Sequence, residues 1–152
     1  MAAKVFNRVM RQWPDYFDFI PKTYVIPQQN EEIQDMKTPH IVKPASGSEG
    51  CGIFLVKKFK DIPSYCFTQD HIVQSYLMKP ALLLNKKFDL RIYVMVTSLQ
   101  PLQAFINTEG LVRVCTEEYS KPSKDNMHKL LSHLTNYTLN KMSTNYVHAD
   151  EA

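Results

Sequence analysis

Hydrophobic positions along the chain recur with two different periods, and these periods predict one short helix followed by many strands. Between Lys4 and Gln12 the apolar residues fall at helical spacing, and Pro14 ends the segment. Runs of β-forming residues between prolines, glycines and polar clusters predict strands at PKTYVIP, PHIVKP, GIFLVKK and HIVQSYL, with a turn or two of polar helix at QQNEEIQDM. Many strands with few helices between them predict an α+β fold with an antiparallel central sheet and flanking helices.

The run KKFDLRIYVMVTSL, from Lys86 to Leu99, predicts one long strand with two different faces. Because side chains alternate along a strand, Lys87, Asp89 and Arg91 share one face and the apolar residues between them share the other. The segments PLQAFIN, TEG and LVRVC predict that the chain continues as consecutive antiparallel strands around a tight turn. Two interpretations of the charged face remain open, a solvated surface and the floor of a binding site.

The end of the sequence predicts an incomplete fold. A chain of 152 residues fits about one domain. The tail DNMHKLLSHLTNYTLNKM mixes helical and loop signals, and STNYVHADEA carries no closing element. We therefore expect a fragment, or a truncated gene product, of a larger protein.

Composition argues against several classes of function. A net charge of +3 is too small to indicate a nucleic-acid-binding protein. No run of apolar residues could span a membrane, and the first segment lacks the apolar stretch of a signal peptide, so a soluble intracellular protein is expected. The histidines lack metal-ligand spacing. The three cysteines, Cys51, Cys66 and Cys115, predict reduced thiols, without a disulfide framework or a zinc site. The basic cluster Lys57, Lys58 and Lys60 is typical of a blunted strand edge.

The stretch IVKPASGSEGCGIFLV predicts a hairpin whose tip is made mostly of small residues. Lys43 lies on the first strand, and Gly47, Gly50 and Gly52 lie in the loop. Glycines let backbone N–H groups approach phosphate oxygens, and the lysine would supply a point charge for the same anion. Mobile turns use the same residues, so an ordinary turn is the alternative.

Three further positions could bind a ligand. Gln74 ends an apolar strand, where its amide and the backbone from Ser75 to Leu77 could bind an adenine edge, and the alternative is a glutamine of the kind common at strand ends. Arg113 is the lone charge in GLVRVC and should reach the rim or pair with an anion; on neighbouring strands it could converge with Arg91. In HLTNYTLNK, Thr135 and Asn136 could contact a phosphate or a metal-bound water, and the alternative is an N-cap and a turn.

These segments, taken in order, resemble the tubulin-tyrosine-ligase-like family, and the resemblance runs from about Val5 to Tyr146. The segments KFDLRIYV, EGLVR and HLTNY at these separations carry it, and the variants FDLRIYVMVTSLQPL and HLTNYTLNK are more similar to the polyglutamylase branch. The resemblance implies an ATP-grasp-like fold that is incomplete at its C-terminus. Residues of about 4–80 would form the lid and central part, and those of about 81–152 the first part of the catalytic sheet.

The resemblance also implies a role for each matching residue. Lys43 corresponds to the lysine on the α- and β-phosphates of ATP. The residues of the lid over these phosphates would be Ser46, Gly47, Gly50 and Gly52. Adenine and ribose would be bound by Gln74, by the backbone of Tyr76 and Leu77, and by Lys87 and Asp89. Arg91 and Arg113 correspond to the catalytic arginines that face the γ-phosphate and the acyl phosphate, and Thr135 and Asn136 to a nucleotide-proximal pair. The charged face of the long strand would then be the floor of the nucleotide site.

The activity that the resemblance implies is ATP-dependent addition of an amino acid, glutamate in this branch, to the acidic tails of tubulin. An acceptor carboxylate attacks the γ-phosphate and releases ADP, and the amine of free glutamate then displaces phosphate from the acyl phosphate. Tubulin and microtubules would be the partners, without nucleic acid or membrane, in the cytoplasm and cytoskeleton, with the cilium, flagellum or basal body as candidate sites. The alternatives are a glycine- or tyrosine-adding member, a non-catalytic nucleotide- or microtubule-binding relic, and a ligase for small molecules.

Two departures from the family pattern bear on ATP and Mg²⁺. Glu49 stands where family members often have Gln or Arg, and Cys51 stands where they often have Arg, so the lid has lost positive charge near the phosphates. The Asp and Glu-x-Asn ligands of magnesium follow the HLTN segment in the family, and we expect them beyond Ala152. No metal ligand is therefore assigned in this sequence, and this fragment alone is expected to be inactive.

Overall fold

A computed structural model describes residues 2–47 and 50–147 of the chain. Glu49, with its expected effect on the lid, lies outside these residues. The chain divides into two compact units, the first comprising Met1–Pro80 and Lys121–Leu130, the second Ala81–Ser120 and Leu131–Ala152.

The first unit combines one helix with a four-stranded antiparallel sheet. Helix α1 (Ala2–Gln12) confirms the helical period, and strands β1 (Thr23–Ile26), β2 (His40–Pro44), β3 (Phe54–Val56) and β4 (His71–Ser75) lie in the four predicted runs. Their order in the sheet is β1-β4-β2-β3. The hairpin predicted around the glycine-rich loop is confirmed, because β2 pairs with β3. Short 3₁₀ turns occupy the connections, at Pro14–Tyr16, Glu31–Ile33, Phe59–Asp61 and Ser64–Phe67.

The core of the first unit lies on one face of this sheet. Ile26, Val42 and Val73 are fully buried there, together with Ile33 from the 3₁₀ turn that stands where polar helix was expected. Because alternate residues of β2 and β4 point the other way, Lys43 and Gln74 project from the opposite face. Burial of one face of the sheet therefore fixes the opposite face as the one that carries the side chains of Lys43 and Gln74.

The second unit consists of two antiparallel sheets and a short helix. Strands β5 (Leu82–Leu83), β6 (Lys86–Arg91) and β9 (Leu111–Glu118) form a sheet of order β5-β6-β9, and β7 (Val94–Leu99) pairs with β8 (Leu102–Ile106). A 3₁₀ turn at Leu130–Ser132 and helix α2 (Tyr137–Asn140) follow. Every strand pair in the described part of the chain is antiparallel, which confirms the predicted sheet-dominated α+β class. The ATP-grasp assignment stays a prediction.

The prediction of one long strand from Lys86 to Leu99 is wrong in one respect, the continuity of the strand. The strand is interrupted at Ile92 and Tyr93, and its two halves belong to different sheets. The prediction of consecutive pairing is also wrong beyond β8, because β9 returns to pair with β6 rather than with β8. Local alternation fixes the face of each residue but not the partner of each strand, which depends on contacts distant in the sequence.

Apolar side chains are unevenly buried. Those of β7 and β8 are largely exposed in this structure, with Met95 at 62% and Phe105 at 57% of full exposure. The three cysteines are free thiols in this structure, of which Cys51 is exposed and Cys66 and Cys115 are buried. No helix among residues 2–47 and 50–147 is long and apolar enough to cross a bilayer.

Candidate functional site

A chain of hydrogen bonds runs across the polar face of the first sheet. Lys43 Nζ donates to Gln74 Oε1 at 2.9 Å, and Gln74 Nε2 donates to Thr23 Oγ1 at 2.9 Å. The Thr23 hydroxyl donates in turn to the carbonyl of Pro21 at 2.7 Å. The chain holds both ends of the Gln74 amide, so the lysine and the glutamine predicted to bind a nucleotide are direct neighbours. Sequence reasoning had missed Thr23.

Lys43 is a cation in a partly dehydrated place. Burial lowers the pKa of its ammonium below the ordinary value. A neutral amide oxygen compensates a buried charge incompletely, so a bound anion would improve its environment. The surroundings of Lys43 therefore favour an anionic ligand, and the phosphate contact of Lys43 stays a prediction.

The loop after β2 needs glycine at position 52. Gly52 has a φ of +69°, and a Cβ there would lie 3.1 Å from Cγ of Pro44. Ser46 and Gly52 line a cavity of about 440 Å³ together with Tyr65, Asp70 and His71. Gly47 lies in the same loop with ordinary spacing to Pro44, and Gly50 has a φ of +83°. The described part of this loop thus borders a cavity and contains two glycines with positive φ.

The segment after β4 shows how the predicted adenine contacts lie. The N–H of Tyr76 donates to the carbonyl of Pro39 at 3.1 Å, and the Tyr76 residue is buried. Leu77 has 59% of its surface exposed. Backbone recognition of an adenine would therefore depend more on Leu77 than on the N–H of Tyr76.

In the second unit, three of the predicted residues meet at one carboxylate. Asp89 lies directly opposite Arg113 in the register of β6 and β9, and its oxygens accept from Arg113 Nε at 2.8 Å and Nη2 at 2.7 Å. The hydroxyl of Thr135 donates to Oδ2 of the same carboxylate at 2.7 Å. The segments KFDLR, LVR and HLTN are thereby joined through side chains.

The charges in this cluster stabilise one another. Burial raises the pKa of Asp89, but hydrogen bonds from Arg113 and Thr135, with the charges of Arg113 and Lys87, lower it more, so the net pKa lies below its usual value. The hydrogen bond to Asp89 raises the pKa of Arg113 further. Asp89 is thus an anion at neutral pH, and it holds the guanidinium in a fixed orientation.

Lys87 and Arg91 flank this cluster on β6. Lys87 Nζ donates to the carbonyl of His133 at 3.1 Å. Arg91 is exposed, with its guanidinium 5.9 Å from the centre of the Tyr93 ring. Because Asp89 lies between them at alternate positions of β6, Arg91 shares the face of Arg113. Gly110 is required beside Arg91, since a Cβ there would lie 2.7 Å from the Arg91 carbonyl.

The segment of Thr135 and Asn136 is fixed by Asn140, a residue that sequence analysis missed. Asn136 occupies the N-cap position of α2 without a capping hydrogen bond from its side chain. Asn140 is 1% exposed, and its Nδ2 donates to the carbonyls of Leu134 at 2.8 Å and Asn136 at 3.0 Å. Its Oδ1 accepts from the N–H of Thr116 at 2.8 Å and from the hydroxyl at 3.1 Å. Asn136 and Asn140 are four residues apart, about one helical turn, and this spacing could have indicated the contact from the sequence.

Each unit thus brings together its own part of the predicted set. In the first, Lys43 and Gln74 are in contact, with the loop of Ser46 and Gly52 following β2. In the second, Arg113 and Thr135 meet at Asp89. A cavity of about 350 Å³ borders this cluster and is lined by Arg113, Thr135 and Asn140 among others. Within the described ranges, no group of three or more His, Cys, Asp or Glu could hold a metal ion.

Comparison with known proteins gives a consistent result along the chain. The sequence model of the tubulin-tyrosine ligase family matches residues 1–152. Tubulin polyglutamylase TTLL6 of Mus musculus is 39% identical over 152 residues, which are 97% of this chain and 18% of that protein. Tubulin polyglutamylase TTLL11 of Homo sapiens is 37% identical, with 99% of this chain and 23% of that protein covered.

A third relative agrees with these two. Tubulin polyglutamylase TTLL7 of Xenopus tropicalis is 40% identical over 154 residues, which are 95% of this chain and 16% of that protein. The chain therefore spans about a fifth of the length of the curated relatives it matches.

Proposed function

Because this chain belongs to the tubulin-tyrosine ligase family, we propose that it is part of an ATP-dependent ligase that adds glutamate to the acidic tails of tubulin. The observation that carries the proposal is the meeting of three motif segments at Asp89, where Arg113 and Thr135 donate to one carboxylate. The relatives named as tubulin polyglutamylases support glutamate as the added residue.

The proposal divides the work between the two arginines. Two of the five N–H donors of Arg113 are directed at Asp89, which leaves three for a ligand. Within the described part of the chain, Arg91 has no carboxylate partner, so its charge is uncompensated. We assign to Arg91 the neutralisation of the transferring phosphoryl group, and to Arg113 the positioning of the same group through fixed donors.

The residues of the first unit fit the anionic part of a nucleotide. Lys43 is a desolvated cation beside a loop in which Gly50 and Gly52 have positive φ. ATP with Mg²⁺ would supply the phosphoryl group that activates the acceptor carboxylate. In this proposal Lys43 binds the phosphates, Gln74 orients Lys43, and Leu77 offers backbone to the base.

The test is intact-mass analysis of tubulin tails after incubation with the intact protein, ATP, Mg²⁺ and equal amounts of glutamate, glycine and tyrosine. Mass steps of one glutamate that are lost in Arg91→Ala and kept in the exposed control Lys57→Ala would support the proposal. Steps of glycine or tyrosine would assign the protein to another branch. If folded protein adds no mass, the ligase proposal is wrong.

A non-catalytic, nucleotide-binding relic is the second candidate, and Cys51 favours it. This exposed thiol stands between Gly50 and Gly52, where family members often carry Arg, so the loop has one cation fewer. The relic would bind ATP in equilibrium dialysis without releasing ADP or modifying tails. Binding with turnover would eliminate it.

A further inference from the structure

A groove along helix α1 concentrates positive charge. Its volume is about 510 Å³, and its lining includes the cations Lys4, Arg8 and Arg11. These residues are spaced i, i+4 and i+7, so they project from one face of the helix. They are exposed, and helix α1 contains no Asp or Glu.

The three cations have no compensating carboxylates. Among the residues that the structure describes, none of the three has a carboxylate within 4.0 Å. The other polar lining of the groove is made of uncharged amides. Asp70 and Glu32 accept hydrogen bonds from two of these amides, at 3.1 and 3.4 Å, and neither carboxylate lines the groove.

A second basic surface of this unit differs from the α1 groove in its balance of charges. Lys37, Lys58 and Lys60 line a shallow cavity, but Asp35 lines it with them, and the carboxylate of Asp61 accepts from the Lys58 N–H at 3.1 Å. The groove on α1 instead has two arginines, whose planar guanidinium groups can each bind a carboxylate through two hydrogen bonds. It is therefore the better site for a carboxylate-rich ligand.

We propose that the α1 groove is a docking site for an acidic segment of polypeptide in extended conformation. Along a helix, Lys4 and Arg8 are separated by a rise of about 6 Å. In an extended chain, side chains on one side recur every two residues, or about 6.6 Å. Alternate glutamates of one strand could thus pair with both cations. The identification of the bound segment as the tail to be modified rests on the proposed function. The docking of an acidic segment does not depend on that function.

An acidic peptide fits the groove better than a nucleic acid. Single-stranded nucleic acids bind strongly where bases stack on aromatic rings, and the lining of this groove contains amides and one valine but no aromatic side chain. A row of three cations is also short for a phosphate backbone. RNA binding is accordingly an outcome that would count against the proposal.

The experiment measures the fluorescence anisotropy of a labelled peptide of ten glutamates, without nucleotide, on the intact protein. Two triple variants reverse the same number of charges: Lys4→Glu with Arg8→Glu and Arg11→Glu, and Lys57→Glu with Lys58→Glu and Lys60→Glu. We expect the first to weaken binding by at least about tenfold at low salt, and the second by less than about twofold. Thermal melting should show both variants folded, because the six residues are exposed.

Equal weakening in the two variants would overturn the proposal, since net charge and not the groove would then control binding. No binding of the peptide would also overturn it, as would tighter binding of a ten-nucleotide RNA that only the first variant loses. In the tail-modification assay, the first variant should raise KM for the tail and leave kcat unchanged. If the protein modifies no tail, the peptide-binding experiment still tests whether the α1 groove is a docking site. The docking proposal and the ligase proposal can therefore fail separately.

Discussion

Arg113 lies opposite Asp89 in adjacent strands and donates to both oxygens of its carboxylate, at 2.8 and 2.7 Å. The pair also holds Thr135, so a residue from a distant loop is fixed to the sheet at the same point. A guanidinium held by two parallel hydrogen bonds has a defined orientation, which is what a donor to a transferring group needs. The pair therefore serves both the stability of the second unit and the proposed chemistry.

Removing the charge of Asp89 should lower stability by a modest, pH-dependent amount. The side chains of Arg113 and Asp89 are 34% and 37% exposed, so solvent screens the pair, and we expect Asp89→Asn to reduce the free energy of unfolding by about 1 kcal/mol at pH 7. Urea denaturation measures it. Glu118→Gln, an exposed carboxylate at the end of β9, is the matched control and should have no effect.

The sign of the pH dependence follows from the lowered pKa of Asp89. The stabilisation is fully present above the unfolded-state pKa of Asp, about 3.9, and is lost as the pH falls through the lower folded-state pKa. The difference in stability between the original protein and Asp89→Asn should therefore begin to shrink as the pH falls below about 4, and should disappear once the pH is below the folded-state pKa of Asp89. A difference that stays constant down to pH 2 would contradict the assignment.

Lys43→Met should separate stability from ligand binding. The buried ammonium has a lowered pKa, so its charge destabilises the folded state at neutral pH, and this effect is relieved as the pH rises through the lowered pKa toward about 10.4. Methionine removes this cost together with the hydrogen bond to Gln74, so we expect a stability change below about 1 kcal/mol. Binding of a fluorescent ATP analogue should weaken by at least about tenfold. Unchanged nucleotide binding would exclude Lys43 from the site.

Asn140→Ala should be the most damaging of these substitutions. It leaves the N–H of Thr116 and the carbonyls of Leu134 and Asn136 without their side-chain partner in a buried place, and we expect a loss of about 3 kcal/mol. Asn145→Ala, which removes one exposed hydrogen bond to Glu117, is the control and should cost below about 0.5 kcal/mol. Differential scanning calorimetry measures the stability of both variants. Equal losses of stability in the two would contradict the role assigned to Asn140.

The cysteines should differ sharply in reactivity. Cys51 is exposed, whereas burial raises the pKa of Cys115 to about 11, so about one thiol in a thousand is ionised there at pH 8. Mass spectrometry after brief iodoacetamide treatment should find Cys51 modified and Cys115 intact until the protein is unfolded. If the loop covers a nucleotide, ATP should slow the reaction of Cys51. Rapid labelling of Cys115 in folded protein would contradict its burial.

Sequence patterns predicted the local elements well, because their causes are local. Pro14 and the apolar period delimit α1, and the small residues between Lys43 and Phe54 produced the expected hairpin. The alternation of charged residues along β6 placed Asp89 and Arg91 on the face where Arg113 lies. In these cases one residue and its near neighbours determine the outcome.

Pairings between distant segments could not be predicted in the same way. The segment from β6 to β7 has uninterrupted β propensity, so nothing in its composition marks the break at Ile92 and Tyr93. The side-chain contacts of Lys43 with Gln74 and of Thr116 with Asn140 join positions 31 and 24 residues apart. Such contacts depend on the register of the sheet, and an isolated pattern of polar residues does not encode it.

The irregularity between β6 and β9 has a consequence for insertions and deletions. Phe88 pairs with Val114 and Lys86 with Glu118, so two steps along β6 correspond to four along β9, an excess of two residues. An even excess leaves the alternation of the two faces in phase, and the residues on both sides of it keep their orientation. Length variation in pairs is therefore compatible with this sheet, whereas a change of one residue would need a further bulge to keep the side chains beyond it on their faces.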